Sequence, residues 1–363
     1  MYFYSTTIPR TASGRVDTID QLKGWACIFM LIAHSYDLWI YTDHYLTVIY
    51  HICAGMAPVL FFSVTGATID LQIRKRRLFT LLSFYTVFFL LAFINMAKEG
   101  PHYLYFSPYN IFNTIAISGI ITAIILKKEL NRWWLFFVPF LLHFAVLKLH
   151  LGDVFPSQIR PLFIYPGFGI LPWLSFFLIG SSLYAMDRKQ MVIFSVAFLL
   201  LFVVASVLKR PRLDLDSKTT MTVTYYFIAM SLLGGMYYCV TYLGLRLTGL
   251  GFLGRHTILF WYIHLFFISL KPSLNHPFII WVGLMIASLL IMSICLKVNK
   301  YLRDYTENWY FWISIILMIF GGVYLPSKII SPLFYAIGII VSLNYHGLFK
   351  LIDSAYPLHF KQV

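Results

Sequence analysis

Four ionisable side chains, Asp20, Lys23, His34 and Asp37, stand in one otherwise apolar stretch near the start of the chain. On a helix turning about 100° per residue, Lys23, His34 and Asp37 lie about 60°, 40° and 100° from Asp20 in the same sense, and Asp20 to Asp37 rises about 25 Å. They make one polar stripe long enough to run most of the way across a bilayer. Asp20 and Lys23 at an interface, with only His34 and Asp37 embedded, is the plainer arrangement. An ionisable group among apolar neighbours is nevertheless costly and is a functional candidate by default. Histidine suits proton transfer in particular, because its unperturbed pKa lies near neutrality. His44 and His51 follow, and His51 precedes Pro58 and the small polar run Ser63, Thr65, Gly66. These residues could line a pocket at the outer end of the stripe, or His44 is a plain loop histidine and His51 a packed one bonded to a carbonyl.

Further along, Ser107-Pro108 reads as a helix start, and Asn110, Asn113, Thr114 and Ser118 share one face of that helix. The face suits a ligand cavity and interhelical hydrogen bonding equally, and the same holds for Asn95, Asn344 and His346. His256 and His264 lie about 80° apart on a helix, with Trp261-Tyr262-Ile263 between them. The cluster Arg74, Lys75, Arg76, Arg77 suits lipid headgroups or, through the guanidinium fork, the phosphates of a nucleotide-bearing donor. Gly249, Gly251 and Gly254 spell G-x-G-x-x-G, but the run lacks a preceding strand and an acid about 20 residues on, so it is not read as a dinucleotide site. Zinc and iron spacings such as H-E-x-x-H are absent, and no metal is expected.

The elements that must position these groups are set by composition. The chain has 363 residues, 60% hydrophobic and only 12% charged, with a mean hydropathy of +0.77. Soluble domains carry about 25% charge, so disorder, a disulfide scaffold and a free globular enzyme are excluded. Runs of roughly 20 apolar residues fall near 20–40, 46–72, 78–97, 108–126, 133–150, 167–186, 191–208, 221–245, 257–270, 277–296, 308–324 and 329–348. The expected fold is an all-α integral membrane protein, a polytopic bundle of ten to twelve transmembrane helices, with a break or tilt at Pro58. Residues 1–363 form a single domain, with tails at 1–19 and 349–363. No short apolar core with a cleavage site precedes the first segment, which is therefore read as retained. Cys27, Cys53, Cys239 and Cys295 all lie in apolar stretches and read as packing residues.

Lys and Arg total 28 against 14 Asp and Glu, a net charge of +14. With the N-terminus inside, eighteen of the Lys and Arg fall on the cytoplasmic side and nine on the other, with Lys23 embedded. This split places both termini in the cytoplasm. Topology and anionic lipid thus account for the surplus charge, and nucleic acid is not needed as a partner.

The stretch IDQLKGWACIFMLIAHSYDLW resembles the opening signature of multi-pass membrane acyltransferases, hydrophobic-Asp-x-x-Arg-Gly-x-Ala followed by an apolar run ending in His or Asn. It is similar to the catalytic region of heparan-alpha-glucosaminide N-acetyltransferase and its bacterial relatives, and more loosely to the acyltransferase 3 family. APVLFFSVTGATIDL, LPWLSFFLIGSSLY and LGRHTILFWYIHL resemble further stretches of these families. The resemblance implies a donor, acetyl-CoA or another acyl-CoA, and a glycan or glycolipid acceptor, in the cytoplasmic membrane of a bacterium. It implies catalytic roles among His34, His44, Asp37 and His51, with His34 first, and donor contacts among Asp20, Lys23, Arg74, Arg77, Asn110 and Asn113. Lys23 stands where these families usually have Arg, which keeps the charge without the fork. His264 and Trp173 would face the acceptor. A homo-oligomer is left open. The rival reading is a secondary transporter with a polar pathway lined by the first, second and fourth helices.

Overall fold

In a hydrocarbon core the backbone finds no water to bond, so a helix, which satisfies its own N–H and C=O groups, is the local solution. The computed structural model describes residues 17–35, 44–75, 78–97, 110–128, 134–149, 160–163, 167–209, 221–270, 277–325 and 327–355. Among them the regular elements are helices: α1 Asp17–His34, α2 His44–Arg74, α3 Leu78–Ala97, α4 Ile111–Lys127, α5 Phe137–Lys148, α6 Arg160–Phe163 and α7 Ile170–Leu183. They continue as α8 Arg188–Lys209, α9 Val223–Tyr242, α10 Thr248–Arg255, α11 Thr257–Ser269, α12 Pro277–Thr306, α13 Trp309–Gly322 and α14 Ser327–Ala355. Among the described residues five helices are long and apolar enough to cross a membrane, within α2, α8, α9, α12 and α14. The twelve expected segments each meet a helix. α10 and the single turn α6 were not expected.

Burial separates inner from outer helices. The apolar span of α2 is 83% buried, while those of α8 and α12 are 17% and 28% buried. Leu200, Val204 and Leu208 on α8, and Ile279, Ile286 and Leu290 on α12, are exposed. Such faces are stable against lipid, which is as apolar as they are. α2 runs unbroken through Pro58, so of the break or tilt expected there the break does not occur. Proline there cannot donate to the carbonyl one turn back. Nearby, the buried Tyr225 hydroxyl donates to the Gly55 carbonyl at 2.8 Å, tying α9 to this turn.

Close approach is set by glycine in two reciprocal pairs. A Cβ on Gly66 would overlap the Phe177 carbonyl, and one on Gly180 the Ser63 carbonyl, so α2 and α7 meet backbone to backbone. Likewise Gly24 faces the Leu250 carbonyl and Gly254 the Asp20 carbonyl, which lays α10 along α1. Small residues at such crossings let membrane helices pack through dispersion alone. Gln21 fixes the second crossing from the side: its Nε2 donates to the Leu247 carbonyl at 3.1 Å, and its Oε1 accepts from Leu247 N at 3.0 Å. Arg246 pairs with Asp17 at 3.5 Å beside it. The G-x-G-x-x-G run therefore lies in a helix packed on α1, which was not expected from the sequence.

Candidate functional site

α10 ends at Arg255, and α11 restarts at once at Thr257, whose Oγ1 donates to the Gly254 carbonyl at 2.9 Å. This junction holds α11 against α1 and brings His264, fully buried, to His34 near the far end of α1. His264 Nδ1 lies 2.8 Å from the Phe260 carbonyl oxygen, one helical turn back. A carbonyl only accepts, so Nδ1 carries the proton and the Nε2 of neutral His264 offers a lone pair. That Nε2 lies 3.0 Å from His34 Nδ1, which must then be the donor. Neutral His34 consequently has its lone pair on Nε2. The chain from carbonyl to His264 to His34 fixes the tautomer and the ring plane of a base, as the third member of a catalytic triad does. The two rings are stacked at 5.2 Å, and the Trp261 indole stands edge-on to His34 at 5.1 Å.

A cavity of about 630 Å³ lies between α1, α2, α3, α4, α11 and α14, lined by Trp261 but by neither histidine of this pair. Towards the end of the bundle that holds Asp17 and Arg74, its wall carries Lys23, Gln72, Arg255, His256 and His346. Thr65, Thr68 and Gln72 line it from one face of α2, at spacings of three and seven residues. Deeper in, the wall is aromatic and aliphatic: Phe88, Ile111, Phe112, Ile115 and Trp261. Phe112 meets Trp261 at 5.2 Å, and on the other side of that indole stands His34. Lys23 and His34 are about 20° apart round α1 and about 16 Å apart along it. Lys23 at the cationic rim and His34 thus share one face of α1, and the indole of Trp261 stands between the apolar shaft and that histidine.

The other expected site residues divide. Asp20 is buried where Gly254 presses on its backbone and does not line the cavity. Asn110 caps α4, accepting from Phe112 N at 3.1 Å and donating to the Ala92 carbonyl at 2.7 Å. Asn113 faces the Met96 sulfur at 4.0 Å. Arg74 Nε is 2.7 Å from the buried Asp70 carboxylate, one turn back. Trp173 is fully buried, donates to the Gly167 carbonyl at 2.8 Å and packs on Phe62. His51 is half-buried, edge-on to Tyr50 at 5.0 Å. Asp37, Arg77 and the His44 side chain lie outside the described residues. Among the described residues no group of three metal-ligating side chains forms.

Trp261, Arg255 and the Thr68–Gln72 face were not singled out as site residues from sequence. Their signals were present, since Trp261 stands three residues before His264 and Thr65, Thr68 and Gln72 share a helical phase. Among the described residues the fold is all-helical and of membrane type, with a hydrogen-bonded histidine pair packed against Trp261 in the wall of a cavity. No family model, no curated protein and no solved structure matches the chain.

Proposed function

We propose that this chain is a multi-pass membrane acyltransferase, built as a bundle of ten to twelve spans. It would carry an acetyl or other acyl group from cytoplasmic acyl-CoA to a hydroxyl or amine of a sugar in an extracytoplasmic or lipid-linked glycan. The observation that carries this reading is a cavity with a basic rim and an apolar wall that ends at Trp261, whose ring packs against His34 of the His34–His264 pair. The cation-lined rim suits the phosphates of the coenzyme, with Lys23, Arg255 and His256 in its wall. Arg74 and Arg77 extend the same basic rim in sequence. The apolar shaft suits the pantetheine arm, and its inner end at Trp261 would bring a thioester towards His34, which packs against that indole. There Nε2 takes the acceptor's proton as the acceptor attacks the acyl carbon, and returns it to the departing thiolate. Holding base and thioester together in a water-poor site supplies much of the acceleration.

The purified chain in lipid nanodiscs tests this directly. Acetyl-CoA should raise its melting temperature more than free acetate or simple sugars do, because a ligand of the folded state stabilises in proportion to its occupancy. Radiolabel from acetyl-CoA should then appear on a glycan acceptor. Stabilisation by a free sugar or acetate, with none from the coenzyme, would turn the reading to a transporter.

A further inference from the structure

On α2 every residue from Cys53 to Asp70 is buried except Thr65 and Thr68, and both of these line the cavity. A helix that is otherwise enclosed thus presents two hydroxyl-bearing side chains to the shaft, three residues apart on one face. Thr65 Oγ1 donates to the Phe61 carbonyl at 2.6 Å and Thr68 Oγ1 to the Val64 carbonyl at 2.8 Å, each one helical turn back. A hydroxyl carries a single proton. With that proton given to the backbone, each oxygen is left to a ligand as an acceptor only. The wall around them is hydrocarbon, with Phe61, Leu81, Phe88 and Ile115 among its members. In such surroundings a hydrogen bond is stronger than in water, so the pair selects an occupant that brings two donors at a matching separation.

We propose that Thr65 and Thr68 accept the two amide N–H groups of the donor's pantetheine arm and so hold it along α2 in one register. The proposal rests on the acyltransferase reading and gives that reading's donor two binding residues. Side chains three apart on a helix have their Cβ atoms about 5–6 Å apart. The two amide nitrogens of pantetheine are separated by one β-alanine unit, four bonds, or about 5 Å when extended. Direction follows from the rim. With the nucleotide beside Lys23 and Arg255, the amide on the nucleotide side meets Thr68, and the amide next to the sulfur meets Thr65, about 4.5 Å deeper along the helix. The sulfur, three bonds further on, then lies towards Phe61, the innermost residue that α2 gives the wall. A plain hydrocarbon chain would suit the rest of the wall and leave both threonine oxygens without a donor.

The test uses the full chain in nanodiscs and valine, which has the shape of threonine without the hydroxyl. Thr65→Val and Thr68→Val should each raise the KM for acetyl-CoA about tenfold, the effect of leaving one amide unpaired, with kcat within about threefold of wild type. The rise in melting temperature that acetyl-CoA produces should shrink in parallel, which measures binding without turnover. Thr65→Ser and Thr68→Ser keep the oxygen and should behave like the wild type. S-acetyl-N-acetylcysteamine carries the thioester and only the inner amide. Thr65→Val should therefore raise its KM about tenfold, and Thr68→Val should leave it unchanged, which also shows that the Thr68 variant is folded. An affinity for acetyl-CoA in both valine variants equal to that of the wild type, or tighter, overturns the assignment and would put an apolar chain against α2. Equal losses with the short thioester overturn the register. If the wild type neither binds acetyl-CoA nor transfers its acetyl group, the acyltransferase reading has failed; if it does both and the valine variants keep pace, only the role of the threonines has.

Discussion

At the scale of the residue, His34 and His264 are joined by a 3.0 Å hydrogen bond, and in the proposed reading the second acts through the first. His34→Ala should lower transfer about 10²–10⁴-fold while leaving membrane insertion intact, the usual contribution of general base catalysis. His264→Ala should cost about 10–100-fold by freeing the His34 ring to turn, and should cost almost nothing further in a His34→Ala background, because members of one unit are not additive. Rates of labelled acetyl transfer by the two single variants and the double variant settle this, and additive losses would separate the pair. The rim gives a second contrast. Arg255 lines the cavity, whereas Arg74 spends its Nε on Asp70. Arg255→Gln should raise the KM for acyl-CoA about tenfold, the effect of losing one charged hydrogen bond. Arg74→Lys should raise it less if a fork to phosphate exists there; kinetics equal to wild type would leave Arg74 with its intrahelical ion pair and its part in topology.

At the scale of the element, the reciprocal glycine crossings fix where α1, α2, α7 and α10 lie. They account for one glycine in each of the four resembling stretches: Gly66 and Gly180 make one crossing, and Gly24 and Gly254 the other. Gly66→Ala or Gly180→Ala must drive two backbones apart, which overpacks a tight contact at a cost of about 1–3 kcal/mol. Thermal unfolding in detergent should show either variant several degrees less stable. Gly249→Ala provides the comparison within the same protein, because nothing stands within 4 Å of a Cβ there. On α10 that change should be neutral or stabilising by up to about 1 kcal/mol. Equal losses at Gly66 and Gly249 would show that helix propensity, not the crossing, is being measured.

At the scale of the whole molecule, the open matter is which face of the membrane each end of the cavity meets. Under the positive-inside rule, the split of eighteen to nine basic residues leads us to expect the Asp17–Arg74 end in the cytoplasm. Lys128 and Tyr324, both exposed, lie at opposite ends of the bundle. In intact cells a membrane-impermeant thiol reagent should label Tyr324→Cys and spare Lys128→Cys; the reverse would invert the topology. Sidedness of the reaction follows from it. In sealed inside-out vesicles, acyl-CoA added outside should acylate acceptors trapped within, because a charged nucleotide cannot cross the bilayer and the acyl arm must reach through the bundle. Label only on acceptors added with the donor would place the chemistry on the cytoplasmic face.

Composition and periodicity alone determined that the chain is helical and membrane-like, and located nearly every helix, because the cost of exposing backbone or charge to hydrocarbon is local and acts on each segment separately. The same local rule marked Lys23, His34 and His264 as residues out of place. What only the tertiary structure decided is which of them meet. The 3.0 Å contact joins residues 230 positions apart, and depends on α10 lying along α1 through Gly254 and Gln21. Helical phase places Asn110 and Asn113 on one face, but it could not tell that the first closes a cap and the second meets a sulfur. Nor could it tell that Thr65 and Thr68 would be the residues of an enclosed stretch of α2 left facing a cavity. Partners of this kind are chosen by packing between segments, and a sequence read one segment at a time holds no distance between them.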